Sequence, residues 1–233
     1  MDIFSSTREK LKPYDKYSIC MNHDIYKWDL LTADRRPKFY PRGEIICNQG
    51  DSGYLYIFVS GVGIVTQIKP NGNQTVFYYD LPGSVFGFDS MTSGEPYKTS
   101  LISVEDCNII RVPSSDFSNV YLKNHSLICE INNYEKTRGY LHLSHMEMLM
   151  FDTVEKRLAL LLLGMAYKCG IFSQSGIDIP IHITHQQFSA LINANRVSVS
   201  KIFSPLIKNN VLQKNNGYLH ILNLDFLLDI AEN

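Results

Sequence analysis

Thr184-His-Gln-Gln-Phe-Ser-Ala-Leu-Ile-Asn-Ala-Asn-Arg-Val-Ser-Val-Ser-Lys-Ile-Phe203 reads as two short helices joined by a three-residue turn. Thr184 to Gln187 has capping-box form: the threonine hydroxyl accepts the Gln187 amide, and the glutamine side chain reaches back to the Thr184 amide. Phe188, Leu191 and Ile192 supply the buried face of the first helix. Asn193-Ala194-Asn195 makes the turn, and Asn195 suits the N-cap of a second helix whose apolar positions are Val199, Ile202, Phe203 and Leu206. Such a pair is a helix-turn-helix. Behind it, Val211 to Gln213 and Tyr218 to Leu222 flank Asn215-Asn216-Gly217, the form of a β-hairpin wing.

With Val199, Ile202, Phe203 and Leu206 inward, helical spacing turns Arg196, Val197, Ser200, Lys201, Ser204 and Lys208 outward. Arg196 and Lys201 suit guanine O6/N7 or phosphate, the serines suit bases or phosphates, and Val197 offers only apolar contact, which in a major groove means a thymine methyl. Thr184, His185 and Gln186 stand at a helix N-terminus, where free amides favour a phosphate. The candidate DNA-binding set is therefore Thr184, His185, Gln186, Asn195, Arg196, Val197, Ser198, Ser200 and Lys201. Charge supports it: Ile181 to His220 holds Arg196, Lys201, Lys208, Lys214 and three histidines without one Asp or Glu, in a chain of net charge −1. Pro205 removes an N–H inside the second helix, and a kink or an early end is expected there.

Outward from this segment, Asp152-Thr153 opens a helix from Val154 to Lys168 with Leu158, Leu161, Leu162 and Met165 on its inner face. Asp116 to Met150 contains no proline and one glycine, so one long helix is expected. Leu127, Ile131, Tyr134, Leu141 and Met148 form an apolar stripe along it, for which a second copy of the chain is the simplest cover. Up to residue 115 the chain reads as short strands punctuated by glycines. Tyr54 to Val59, Val62 to Ile68, Thr75 to Tyr79 and Leu101 to Val104 are rich in β-branched and aromatic residues, and Asn71-Gly72 is a hairpin signal. The expected class is α+β, with a β-sandwich, roll or barrel over 1–115, a dimerisation helix over 116–150 and a winged helix-turn-helix over 151–233.

Composition closes off other classes. The 233 residues are 45% hydrophobic and 19% charged, an ordinary globular balance. The longest nearly apolar run, Leu158 to Tyr167, falls far short of the roughly 18 residues that span a bilayer, and the charged N-terminus lacks a signal-peptide h-region, so a cytoplasmic protein without a membrane partner is expected. Cys20, Cys47, Cys107, Cys129 and Cys169 show no C-x-x-C pairing, and their odd number argues against a disulfide framework. A cupin-like enzyme needs clustered His and Glu ligands, yet residues 39–115 contain no histidine; no G-x-S-x-G occurs either, so no catalytic residue and no metal ligand is nominated.

Three stretches resemble the CRP/FNR family of bacterial transcription regulators. Pro41 to Asp51 with Tyr56 to Gly61 is similar to its opening β-roll signature, Leu81 to Gly87 to the start of its effector-pocket segment, and Ile183 to Ile202 to its helix-turn-helix. The resemblance implies a β-roll (double-stranded β-helix) sensor, a long dimer helix and a winged helix-turn-helix in a homodimer that binds promoter DNA and works with RNA polymerase. Cyclic-AMP-binding members carry a glutamate and an Arg-Ser pair where this chain has Phe88, Lys98 and Thr99. Phe88 cannot accept from a sugar hydroxyl and lysine lacks bidentate phosphate geometry, which argues against cyclic AMP. Cys20 alone cannot hold an iron–sulfur cluster, and His142 and His145 lack a second haem feature, so no cofactor is expected.

Phe77-Tyr78-Tyr79, the Gly83 to Gly87 turn, Met91 to Gly94, Tyr134 to Arg138 and Val197 to Ser200 further resemble the halorespiration regulators, which bind chlorinated phenolic acids and have a lysine where this chain has Phe88. By that likeness the effector is a small aromatic or phenolic acid. Tyr78 or Tyr79 would meet its ring and Lys98 and Arg138 its anionic group, within a candidate set of Tyr78, Tyr79, Gly87, Phe88, Thr92, Lys98, Thr99, Tyr134 and Arg138. Family members that read a G·C pair have a glutamate at the position of Val197, so an A·T-rich inverted repeat with half-sites about one helical turn apart is expected here. The alternative is an effector-free regulator whose roll is only a scaffold.

Overall fold

The computed structural model describes residues 4–68 and 74–232; Asn71-Gly72 lies outside them. The chain forms two compact units, Met21–Arg138, and Met1–Cys20 together with Gly139–Asn233.

The first unit is a roll of two sheets. One is ordered β1 (Cys20–Met21), β6 (Gln74–Asp80), β5 (Gly63–Ile68), β8 (Ser100–Ser103), β3 (Ile45–Cys47); the other β2 (Lys38–Tyr40), β9 (Cys107–Pro113), β4 (Tyr54–Ser60), β7 (Val85–Phe86). β5 and β6 pair antiparallel, with Val65 opposite Tyr78 and Ile64 opposite Tyr79. The sheets meet face to face at Gly63, where an added Cβ would lie 2.5 Å from the Phe58 ring and 3.1 Å from Leu101, so the close approach requires glycine. Four strands fall where the β-branched and aromatic runs predict them. The start does not: α1 (Ser5–Leu11), a 3₁₀ stretch Lys12–Tyr17, a second at Ile25–Trp28 and α2 (Asp29–Thr32) occupy it. Local signals explain this, since Pro13 sits in the first turn of one 3₁₀ stretch and Asp24 caps the other through the Tyr26 amide.

α3 (Phe88–Ser93) leads on to α4 (Ser114–Tyr121) and α5 (His125–Phe151). One helix from Asp116 to Met150 was expected; there are two. Asn124 Nδ2 donates to the Val120 carbonyl at 2.6 Å, taking an acceptor that a continuing helix would use, and the Asn124 carbonyl accepts from Ile128 at 3.1 Å to start α5. The expected dimer stripe is also corrected. Leu127, Ile131, Tyr134, Leu141 and Met148 are buried within the protomer, whereas Leu143, Met146, Met150 and Phe151 are exposed.

In the second unit α6 (Val154–Cys169) is buried from Leu158 to Ala166. The N-terminal segment packs on it at Gly164, where a Cβ would meet the Ser18 amide nitrogen at 2.6 Å and the Tyr14 carbonyl at 2.9 Å. Both neighbours are backbone and cannot rotate away. Gly164→Ala is expected to destabilise the protein by about 1–3 kcal/mol in urea unfolding; an unchanged midpoint would mean that the segment does not sit on α6. A sheet ordered β10 (Ile171–Ser173), β11 (Gly176–Ile179), β13 (Tyr218–Ile221), β12 (Leu212–Asn215) completes the unit with α7 (His185–Leu191), α8 (Arg196–Lys208) and α9 (Leu224–Glu232). β12 and β13 are the expected wing, with Asn216 and Gly217 both at positive φ in the two-residue turn. β10, β11 and α9 had no sequence expectation.

Candidate DNA interface and effector pocket

Both caps of the helix-turn-helix form. The Gln187 amide donates to Thr184 Oγ1 at 3.2 Å and the Thr184 amide to Gln187 Oε1 at 2.8 Å, while the Ser198 amide donates to Asn195 Oδ1 at 2.8 Å. Asn193 takes positive φ in the turn. Phe188, Leu191, Ile192, Val199, Phe203 and Leu206 are buried as expected, with Ile202 half-buried. From α6, Arg157 Nη1 donates to the Ile192 carbonyl at 3.1 Å and so braces the end of α7.

That packing leaves one edge outside. Thr184, Gln186, Asn195, Arg196 and Lys201 are exposed, and Val197 is 64% exposed, an unusual place for a valine. Ser198 and Ser200 are half-buried. Ser200 Oγ lies 3.2 Å from His185 Nδ1, and the His185 ring stacks on Phe203 at 4.9 Å, so this histidine ties α7 to α8. Burial, then Lys214 and Arg196, hold its pKa down and favour the neutral ring. α8 continues through Pro205 to Lys208, against the expected early end. Pro205 itself lies on the exposed side of the helix.

In the roll, Arg138 of α5 reaches β6 and α3. Its Nη1 donates to the Tyr78 hydroxyl at 3.4 Å, and its Nη2 to both Asp89 carboxylate oxygens at 3.3 Å and to Glu135. Burial opposes the guanidinium charge, but Tyr78, Glu135 and Asp89 hold it above its ordinary pKa. Burial also raises the pKa of Tyr78 and of Tyr134, whose hydroxyl accepts from the Val85 amide at 2.9 Å. Asp80, at the end of β6, is fully buried, and among the described residues neither carboxylate oxygen has a hydrogen-bond partner. Burial pushes its pKa up to about 7, against the opposite pulls of the Ser84 hydroxyl, which misses hydrogen-bond geometry, and of Arg138.

The pocket set thus divides. Tyr78, Tyr134 and Arg138 come together, and Tyr79 is fully buried one position along β6. Phe88 packs instead with Phe117 and Tyr121 at 5.8 and 6.0 Å. Gly87 and Thr99 are half-buried, Thr92 is exposed and bonded to the Phe88 and Asp89 carbonyls, and Lys98 is exposed and 3.3 Å from Glu95. Asp80, Ser84, Asp89 and Glu135 were not anticipated. Among the described residues, no group of three or more His, Cys, Asp or Glu is placed to hold a metal, and no helix is long and apolar enough to cross a membrane.

Comparison with known proteins matches both halves to family profiles, the cyclic nucleotide-binding domain over residues 37–124 and the Crp-like helix-turn-helix domain over residues 156–230. The chain belongs to the CRP/FNR family. It is similar to the HTH-type transcriptional regulator ycf28 of Porphyra purpurea, 28% identical over 180 residues that cover 71% of this chain and 70% of that one. It is also similar to the nitrogen fixation regulation protein FixK of Azorhizobium caulinodans, at 22% over 72% of this chain and 67% of that one. Among solved structures, FixK2 from Bradyrhizobium japonicum superposes with a TM-score of 0.73 at 18% identity, covering 84% of this chain and 96% of that one. CprK complexed with OCPA superposes with a TM-score of 0.63 at 16% identity, covering 95% and 93%. At these identities the structures speak for the fold: a β-domain of cyclic nucleotide-binding type, a long helix and a C-terminal helix-turn-helix.

As a CRP/FNR member the chain is a DNA-binding transcription regulator with an effector-binding domain. The exposed edge of α8 and the N-terminus of α7 belong to the matched helix-turn-helix domain. The end of β6 belongs to the matched cyclic nucleotide-binding domain, but Tyr134, Glu135 and Arg138 lie beyond its last matched residue.

Proposed function

We propose that this CRP/FNR regulator acts as a homodimer whose roll, residues 1–115, senses a small aromatic or phenolic acid, whose helix region 116–150 pairs two copies, and whose residues 151–233 bind an A·T-rich inverted repeat in promoter DNA beside RNA polymerase. The observation that carries the effector reading is the buried guanidinium of Arg138 against the Tyr78 hydroxyl, an anion-seeking group beside an aromatic ring. The binding of OCPA by CprK supports an effector held on this fold. The exposed Leu143, Met146 and Met150 on α5 support a second copy as the cover of that helix. Of the departures from cyclic-AMP binders, Phe88 is committed to an aromatic cluster, which supports an effector without a ribose. No catalytic step, haem or iron–sulfur cluster enters this reading.

Switching follows by linkage: an effector that binds one dimer arrangement more tightly shifts the population toward it. The test is selection from a random double-stranded DNA library, run with and without phenolic and halogenated aromatic acids. An A·T-rich palindrome recovered only with one compound supports the reading; the same palindrome recovered regardless of compound favours the effector-free regulator. Lys98→Ala is expected to weaken the effector response and leave basal DNA binding in place, measured by operator binding across an effector titration. An equal response would leave the anion to Arg138 alone.

A further inference from the structure

Cys20 and Cys169 stand apart in sequence but meet in one unit. Their sulfurs are 3.9 Å apart, Cys20 fully buried and Cys169, the last residue of α6, half-buried. We propose that this pair is a peroxide-oxidisable site that closes an intramolecular disulfide between the N-terminal segment and α6. It stands independently of the effector and DNA readings.

The surroundings hold the two sulfurs in place. The N-terminal segment is fixed by Leu11, fully buried, by the close backbone approach at Gly164, and by the ion pairs Lys168–Asp15 at 3.6 Å and Lys10–Asp225 at 3.1 Å. A disulfide needs the sulfurs about 2 Å closer than they stand. Rotation of the Cys169 side chain, at a helix end and half-exposed, supplies that motion; besides Cys20 it bonds to the Met165 carbonyl at 3.2 Å.

The two positions also differ chemically. The hydrogen bond with Cys169 and burial hold the Cys20 thiol well above its ordinary pKa, while Lys168 and the Ser18 hydroxyl oppose them. Cys169 is the sulfur a small oxidant reaches, and Cys20 is the one waiting behind it. Hydrogen peroxide is the oxidant of this proposal. The Cys169 thiolate attacks a peroxide oxygen, the O–O bond breaks and hydroxide leaves, giving a sulfenic acid. Cys20 sulfur then attacks Cys169 sulfur; the S–S bond forms, the S–O bond breaks, and the Cys20 proton goes to the departing oxygen. Two thiols supply two electrons, and one peroxide ends as two waters. Cys47 and Cys107 are buried, with pKa values pushed up by burial to about 12 and about 11, and Cys129 is exposed but lies on α5 with no cysteine beside it among the described residues. None of the three has the Cys20–Cys169 geometry.

The full-length protein is treated with hydrogen peroxide, alkylated with N-ethylmaleimide, digested without reductant and analysed by mass spectrometry, with Cys169→Ser as control. The expected result is a linked peptide pair containing Cys20 and Cys169, in a species that remains a monomer on a non-reducing denaturing gel, is reversed by dithiothreitol and is lost in Cys169→Ser. Closing so long a loop should also raise Tm by about 5–10 °C, an increase that the control lacks. Recovery of both cysteines alkylated after oxidation, oxidation of Cys169 to the sulfinic acid with Cys20 still free, or a bond between two chains through Cys129 would each overturn the proposal.

Discussion

Val197→Glu is expected to move operator preference from a thymine-containing pair to a cytosine-containing pair, by about 10-fold to 100-fold at each half-site. Val197 lies in the first turn of α8, two residues after the Asn195 cap, and its side chain is open to solvent. At 64% exposed it leaves room for a glutamate to extend into solvent. A carboxylate in the first turn is also favoured by the helix dipole, and the fold should survive unchanged. What changes is the chemistry offered to the groove. Valine accepts nothing and rewards a methyl; glutamate accepts from cytosine N4–H and, opposite thymine O4, brings two acceptors together. In a two-fold dimer the change acts twice, so discrimination between symmetric sites should shift by roughly 10²–10⁴. Library selection with both proteins at one fixed salt concentration reads this directly, because salt alone moves all affinities together. The same consensus from both would remove Val197 from the groove.

The helix-turn-helix was legible because its signals are local. Thr184 and Gln187 are three residues apart, Asn195 and Ser198 likewise, and the buried positions follow helical spacing; each bond the pattern implies is present. The strands of the roll were legible for the same reason. What was missed depends on groups distant in the chain or on a competition that composition conceals. The apolar stripe of α5 was visible, but not what covers it: Tyr134 is satisfied by Val85, 49 residues away, and the exposed apolar residues of the helix lie on another face. The break before α5 turns on one Asn124 side chain taking a carbonyl. In the pocket, Arg138 and Tyr78 were nominated singly and do meet, across 60 residues. The carboxylates around them, Asp80, Asp89 and Glu135, carry no spacing or motif that separates them from surface charge. Only the fold shows that Asp80 is buried.

That burial sets the second large effect, which is on stability against pH. An unfolded aspartate titrates near its ordinary value of 3.8, whereas folded Asp80 holds its proton up to about 7. Across this window the native state binds more protons than the unfolded state, so stability falls as pH rises from about 4 to 7 and levels off above. The gap between the two values corresponds to about 4 kcal/mol at the upper end, reduced by whatever water reaches the carboxylate. Asp80→Asn removes this contribution. Urea unfolding at pH 5 and pH 8 should show the native protein losing up to about 2.5 kcal/mol more than the variant over that interval, even if the new amide costs stability at both. Equal losses would show that Asp80 is solvated or paired. On the proposed effector reading the same group has a further consequence. An anion that settles on Arg138 screens the cation that helps ionise Asp80 and adds negative charge beside it, so an acidic effector should bind with uptake of a proton. Its affinity should then fall as pH rises through neutrality in the native protein and stay flat in Asp80→Asn, which titrations of one effector at both pH values would measure.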